Sequence, residues 1–414
     1  MNGVERWQVG EKLPKGWKWI RLGDHVTKIG SGITPRGGYA TYLKSGIPLI
    51  RSQNIHMNRF DYEGLAHISE EQDKAMKLSR VLQSDVLLNI TGASIGRVCI
   101  VPSKLCPANV NQHVVIIRTD GSFEPTFLAY YISNPDFQKY ILDTEVGATR
   151  QALTKTSIED FKIPLPPLPE QKRIVGIVSD RLSTIDKARA ATEAQLKTAK
   201  ALPAAYLRQV FDSPEAQKWK EVTIDDISSF ITDGPHITPT YVSKGIPFLT
   251  IRNIVKRKID LSQVSYISEE DHSQYIRRVK AEKGDILYTK DGTLGVPCVV
   301  DTDLEFSFFV SVAIIKLLKD RANPYFIAFA LDSPQVLKQV EQLGAGAGLK
   351  HMVIRSIKAL KVRLPSTKEQ EKIVRQLSEK MLRVEQLQQS LQSQLHTINK
   401  LPAALLRQAF NGEL

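Results

Sequence analysis

The chain has 414 residues, 42% hydrophobic and 24% charged, which is the composition of folded domains and excludes a disordered chain; the length allows two or three cores of ordinary size. A formal charge of +12 favours a polyanionic partner, nucleic acid or an anionic membrane. Cys99, Cys106 and Cys298 form no C-x-x-C pair and have no zinc-ligand spacing, so they read as apolar fillers in a reducing compartment, with no metal.

The opening "MNGVERWQVGEKLPKGWKWI" holds no apolar segment of signal-peptide length, and no later run reaches the ~18 apolar residues of a membrane span. The expectation is a soluble, cytoplasmic protein without membrane contact. Short β-type runs follow at Ile47–Ile50, Val86–Ile90 and Val114–Ile117, punctuated by Gly, Pro, Asn and Asp. A helical stretch around Pro125–Ile141 opens on a proline suited to a helix N-terminus. The proline-rich "IPLPPLPEQ" (163–171) reads as a non-helical exit.

Beyond it lies a long run almost free of Gly and Pro. Val175, Val178, Leu182, Ile185, Arg189, Thr192, Leu196 and Ala199 fall at alternating spacings of three and four, a heptad seam. The run closes on "LPAAYLRQVF" (202–211), where Pro203 suits a kink or a restarted short helix.

The same series then repeats. β-type runs stand at Ile246–Ile251, Ile286–Tyr288 and Val312–Leu318, a helical stretch around Pro324–Val340, and an exit at "VRLPSTKEQ" (362–370). A second seam runs through Val374, Leu377, Met381, Val384, Gln388, Leu391, Leu395 and Ile398, ending in "LPAALLRQAF" (401–410). That phrase matches 202–211 in eight of ten letters at an offset of 199 residues, and the same offset relates "GIPLIRSQNI" (46–55) to "GIPFLTIRNI" (245–254) and "EQKRIV" (170–175) to "EQEKIV" (369–374). A period this long is a duplicated domain with its connector, not a solenoid repeat.

The predicted fold class is α+β. Two similar mixed segments, 1–168 and 212–367, are separated by two long helical spacers, 169–211 and 368–414, packed as an antiparallel coiled coil in a pseudo-two-fold arrangement. Arg189 and Gln388 occupy the same heptad step of the two seams, where a polar residue fixes register. The 24 steps from Val175 to Ala199 span roughly 36 Å of helix, close to one turn of B-DNA. Two dissimilar heads held that far apart would read an asymmetric, bipartite site.

Catalytic patterns are missing. There is no Asn/Asp-Pro-Pro-aromatic tetrad for amine methylation and no H-E-x-x-H. "TGASIGR" (91–97) lacks the Lys-Ser/Thr ending of a phosphate-binding loop, and "GAGAG" (344–348) lacks the strand, helix and acid of a dinucleotide site.

The ordered motifs carry a family resemblance over nearly the whole chain. "DGPHITPTYVSKGIPFLTIRNI" (233–254), "KGDILYTKDGTLG" (283–295), "GAGLKHM" (346–352) and "RLPSTKEQEKIV" (363–374) resemble the specificity subunit of Type I restriction–modification systems. So do "SGITPRGG" (31–38), "GIPLIRSQNI", "LLNITGASIG" (87–96) and "IPLPPLPEQKRIV" (163–175) in the first half, while "PSTKEQ" lacks a second proline common in the family.

The resemblance implies a bacterial or archaeal, non-catalytic reader of double-stranded DNA. Segments 1–168 and 212–367 would be target recognition domains, each taking one half-site. The helices would act as a ruler and as the binding face for two methyltransferase subunits, which two restriction subunits can join. No cofactor belongs to this chain: S-adenosylmethionine goes with the methyltransferase, ATP and Mg2+ with the restriction subunit. The competing reading is an autonomous DNA-binding regulator that needs no methyltransferase.

Arg pairs with guanine and Asn or Gln with adenine, so polar and basic loop residues are the candidate DNA contacts. In the first half these are Thr34, Arg36, Tyr39, Arg51, Gln53, Asn54, Asn89, Thr91, Arg97, Arg150 and Gln151. In the second they are His236, Thr238, Tyr241, Arg252, Asn253, Thr289, Lys290, Asp291, Lys350 and His351. Each also has a plain structural reading as a turn, cap or solvated charge. Positions where the halves differ are the better sequence readers: Arg36 against Thr240, Arg51 against Thr250, Gln151 against Lys350.

Overall fold

The computed structural model describes residues 13–144, 152–255, 257–343 and 351–414. The chain forms two compact units: residues 1–192 together with 394–414 (unit 1), and residues 193–393 (unit 2).

In unit 1 an antiparallel sheet runs Val26–Ser31, Val114–Thr119, Val86–Asn89, Val98–Ile100. A second, mixed sheet runs Ala66–Ile68, Ile47–Ile50, Ala108–Val110, Arg80–Val81, with Ile47–Ile50 and Ala108–Val110 parallel. Unit 2 repeats the antiparallel sheet as Ser228–Asp233, Val312–Leu317, Ile286–Thr289, Pro297–Val299; its mixed sheet, Tyr241–Val242, Ser265–Ile267, Ile246–Leu249, Ser307–Phe308, keeps three of the strands in order but carries its fourth at the opposite edge. The central strands are apolar on both faces because both are covered. Side chains alternate along a strand, so Val86, Leu88, Val115 and Ile117 enter a core shared with helices. Leu87, Val114 and Ile116 enter a second core beside the mixed sheet.

The expected helical stretches each divide in two: Pro125–Ile132 and Pro135–Thr144, Pro324–Leu331 and Pro334–Leu343. Pro135 and Pro334 supply no N–H and exclude helix just before them, so the chain turns there. The first helix of each pair is capped, by Glu124 accepting from the Phe127 N–H at 2.7 Å and by Asn323 accepting from the Tyr325 N–H at 3.0 Å.

The long helices run Leu168–Phe211 and Thr367–Phe410. Only the first parts of the proline-containing exits stay out of helix, as strands Lys162–Leu165 and Lys361–Leu364. Pro169 is taken up in a first turn, where a helix needs no N–H from it. Buried Gln171 and Gln370 lock each helix start to its unit. Gln171 accepts from the Glu124 N–H at 2.8 Å and donates to the Ser122 and Pro166 carbonyls at 2.9 Å each. Gln370 makes the same three bonds to Asn323, Arg321 and Pro365.

Within each unit the two helices pack antiparallel. In unit 1, Arg173 donates to the Leu414 carbonyl at 2.7 Å and Arg189 to the Asn399 side chain at 3.0 Å, so rising numbers on one helix meet falling numbers on the other. In unit 2, Gln388 meets Ala199 and Lys380 sits over the Tyr206 ring. Every seam residue is buried or half-buried.

The repeated phrase restarts no helix: Pro203 and Pro402 lie inside continuous helix. Pro203 cannot satisfy the carbonyl four residues back, that of Ala199. The Gln388 side chain does so instead, donating to it at 2.9 Å. The polar seam residue of unit 2 thus repairs the ladder opposite a proline.

The phrase ends in an aromatic plug. Phe211 packs on Phe326 at 5.5 Å between ring centres, inside unit 2. Phe410 packs on Phe127 and Tyr131 at 5.2 and 5.1 Å, inside unit 1. The core of the first half of the chain is therefore closed by residues near position 410.

Candidate nucleic-acid interface

Gly32 and Gly234 follow the first long strand of each unit, where a Cβ would land on the Val110 or Phe308 carbonyl oxygen. The contact demands glycine and sends the next loop outward. In unit 1 that loop carries Thr34, Arg36 and Tyr39, all exposed. In unit 2 it carries exposed His236 and Thr238 and leads to exposed Tyr241.

Several candidates are held by the fold. Asn54 and Asn253 are buried; each accepts from a backbone N–H three residues back and donates across a hairpin, to the Asp61 and Asp260 carbonyls at 3.0 Å. Asn89 is buried and donates to the Ser52 carbonyl at 2.9 Å. Buried Thr289 accepts from the Val296 N–H at 2.9 Å. Polar letters in Gly-rich loops look like surface, but these short side chains are buried turn braces and face no base edge. Arg51 is half-buried, lies over the Tyr39 and Tyr42 rings and donates to the Gly64 carbonyl at 2.6 Å, near which Gln53 also reaches. Arg97 is half-buried and Arg252 exposed. Arg150, Gln151 and Lys350 lie outside the described residues.

Of the remaining candidates, Thr34 and Thr91 join a polar cluster in unit 1, and His236, Lys290, Asp291 and His351 join one in unit 2, while Arg36, Tyr39, Thr238 and Tyr241 stand apart from them. In unit 1, Thr34 donates to the Gln112 side-chain oxygen, Gln112 Nε2 meets His113 Nε2 at 3.0 Å, and His113 Nδ1 meets Thr91 Oγ1 at 2.6 Å. In unit 2, buried Lys290 lies 3.4 Å from Asp233 and 3.6 Å from Asp291. Asp291 accepts from His351 Nδ1, while Asp233 also meets Arg278 at 2.8 Å and His236 at 3.5 Å. Gln112, His113, Asp233 and Arg278 were not singled out from sequence. "NQH" (111–113) between two apolar runs was the available signal for the first two; Asp233 and Arg278 meet across 45 residues and carry none.

The clusters occupy the same frame. Backbone bridges pair Thr91 with Ala152 and Asp291 with His351, and Ile90 and Lys290 each accept from the next residue, Leu153 or Met352. Ile90 of unit 1 thus corresponds to Lys290, Thr91 to Asp291, Ala152 to His351, and Gln112 to Val310. The frame is shared while the side chains set on it are not.

Nucleophilic chemistry finds no support in the thiols: burial pushes Cys99 and Cys298 up to about 12. Among the described residues, no three His, Cys, Asp or Glu side chains are grouped to hold a metal, and no helix is long and apolar enough to cross a membrane.

The family model described as Type I restriction modification DNA specificity domain matches residues 14–198 and again residues 216–395. The chain is similar to the Type I restriction enzyme EcoKI specificity subunit of Escherichia coli K12, with 25% identity over 97% of this chain and 90% of that protein. It is similar to the putative type I restriction enzyme MjaX specificity subunit of Methanocaldococcus jannaschii, with 23% identity over 91% and 89%. Among solved structures it resembles a chain from work on complex assembly and conformational transition of the type I R-M system, with TM-score 0.75, 20% identity, and 98% and 100% of the two chains covered. It also resembles the HsdS subunit of Thermoanaerobacter tengcongensis, with TM-score 0.62, 20% identity, and 98% and 99% covered. At that identity the likeness shows the fold.

Proposed function

The chain belongs to the Type I restriction–modification specificity-subunit family, and on that premise we propose that it reads an asymmetric, bipartite site in double-stranded DNA, one half-site per unit. The observation that carries this reading is the matched frame with unmatched side chains: Ile90, Thr91, Gln112 and Ala152 in one unit stand where Lys290, Asp291, Val310 and His351 stand in the other. Two copies of one scaffold with different outward polar groups suit two different short sequences. The net charge of +12 supplies the attraction to phosphate.

In this reading the chain performs no chemistry. Two methyltransferase subunits dock on the long helices and bring S-adenosylmethionine; restriction subunits, where they join, bring ATP and Mg2+. The helix length sets the unread spacer between half-sites.

The test is co-expression of the chain with the methyltransferase subunit encoded beside it, followed by mapping of plasmid adenine methylation by long-read sequencing. A two-part asymmetric motif that depends on both chains is expected. Tight sequence-specific binding with no methylation, in a complex shown to form, would favour the autonomous regulator instead. One heptad added to both helices should lengthen the spacer, and an unchanged spacer would remove the ruler.

A further inference from the structure

We infer that the two units read bases from different positions of their common frame: Gln112 determines an adenine in the half-site of unit 1, and Asp291 a cytosine in that of unit 2. This deepens the reading above and rests on it.

Gln112 sits on the turn between Ala108–Val110 and Val114–Thr119, exposed while both strands are buried. Its carboxamide is held at both ends. The oxygen accepts from Thr34, and the nitrogen donates to His113 Nε2 at 3.0 Å. His113 then carries its own proton on Nδ1, which faces Thr91 Oγ1 at 2.6 Å. An amide oxygen has two lone pairs and an amide nitrogen two hydrogens. With one of each engaged, one acceptor and one donor remain, on an amide that Thr34 and His113 hold at its two ends. Adenine presents the complement in the major groove, an N6 amine beside the N7 acceptor. The corresponding residue of unit 2 is Val310, which has neither group.

Unit 2 places its fixed polar group elsewhere. One oxygen of Asp291 accepts from His351, and the other lies 3.6 Å from the ammonium of buried Lys290. The ammonium is itself held 3.4 Å from buried Asp233. Lys290 is thus a positioning residue that acts through Asp291. A carboxylate only accepts, and its spare lone pairs select a donor on a base edge. Cytosine N4 and adenine N6 are the major-groove amines, but adenine sets an N7 lone pair beside its amine. A carboxylate is repelled there, whereas cytosine has only a ring C–H neighbour. Asp291 therefore favours cytosine. In unit 1 the position holds Thr91, already bonded to His113.

The experiment uses the full chain with its methyltransferase subunit and reads the methylated motif. Gln112→Ala should relax one A·T position in one half-site by roughly 5- to 100-fold, with the other half unchanged. Asp291→Ala should relax one C·G position in the opposite half by a similar factor. Asp291→Asn is nearly isosteric, keeps the fold, and should move the preference at that position from cytosine toward adenine. A merely structural role would lower the yield of methylation without moving a single base position. An unchanged motif in Gln112→Ala and Asp291→Asn, or changes confined to one half-site, would overturn the inference. If the wild-type chain gave no two-part motif at all, the proposed function would fail first, so the two failures are distinct.

Discussion

Where unit 1 has Ser31 and Ile90, unit 2 has Asp233 and Lys290; Ser31 and Asp233 end one matched pair of strands, and Ile90 and Lys290 directly follow another. Ile90 extends the apolar core of unit 1, whereas Lys290 is an ion about 2% exposed, held between Asp233 and Asp291. One scaffold thus holds an uncharged version of this pair in unit 1 and an ionic version in unit 2. A buried charge costs several kcal/mol to desolvate and is tolerated only when paired and hydrogen-bonded. The ionic version orients the outward carboxylate of Asp291, which an isoleucine cannot do. Unit 2 thus carries beneath its surface a device that unit 1 lacks, and unit 1 achieves comparable order with a surface chain of neutral bonds.

This contrast can be broken at several depths. The largest effect is expected where the units agree: Phe211→Ala should destabilise unit 2 and Phe410→Ala unit 1, each by about 3–5 kcal/mol. Hydrogen-exchange mass spectrometry would assign each loss to its unit, and a loss in the wrong unit would contradict the plug arrangement. Next comes the ion pair. Lys290→Ile alone leaves Asp233 with Arg278 and should cost about 3 kcal/mol, while adding Asp233→Ser installs the pair of unit 1 and should recover most of it. Denaturant titration of the single and double variants measures the coupling.

A smaller difference is expected along the seams. Gln388→Ala leaves the Ala199 carbonyl opposite Pro203 without a donor and should cost about 1–3 kcal/mol. Arg189→Ala removes a partly exposed bond to a side chain and should cost under about 1 kcal/mol. Equal thermal shifts for the two variants would argue against the repair role of Gln388.

The smallest effect is one of acidity. On the short helix after each "ISEE", unit 1 buries Asp73, held low by its bond to Arg80, and unit 2 buries His272, held low by burial. Between its lowered folded value and its ordinary one, such a histidine is neutral when folded and protonated when unfolded. Its contribution is therefore complete above the ordinary value of about 6.5 and is lost as pH falls through the folded value. Asp73 contributes above the ordinary carboxyl value near 3.9 and loses this only in stronger acid. Mild acidification to about pH 5.5 should loosen unit 2 before unit 1, and His272→Gln should narrow that gap.

Much of this architecture was legible in the letters. The 199-residue offset, the short β-type runs and the two heptad seams each state one simple rule, and the strands and helices follow them. The breaks came where a local rule met a distant partner. Pro203 reads as a kink until Gln388, nearly two hundred residues on, is seen at the freed carbonyl. Asn54, Asn89, Asn253 and Thr289 read as loop contacts because polarity near glycine resembles surface, and only the fold shows them turned inward. Gln112 was hidden for the opposite reason, lying between apolar runs that drew attention to the strands.

The Phe410 plug also bears on synthesis. Chains emerge from the ribosome N-terminus first, at roughly 5–20 residues per second. Unit 2 draws its whole core from residues 193–393 and can close as soon as they appear. Unit 1 is made first yet waits for Leu405, Leu406, Ala409 and Phe410. In the interval its aromatic socket of Phe127 and Tyr131 is uncovered, so the older half of the nascent chain is the one a chaperone would have to shield.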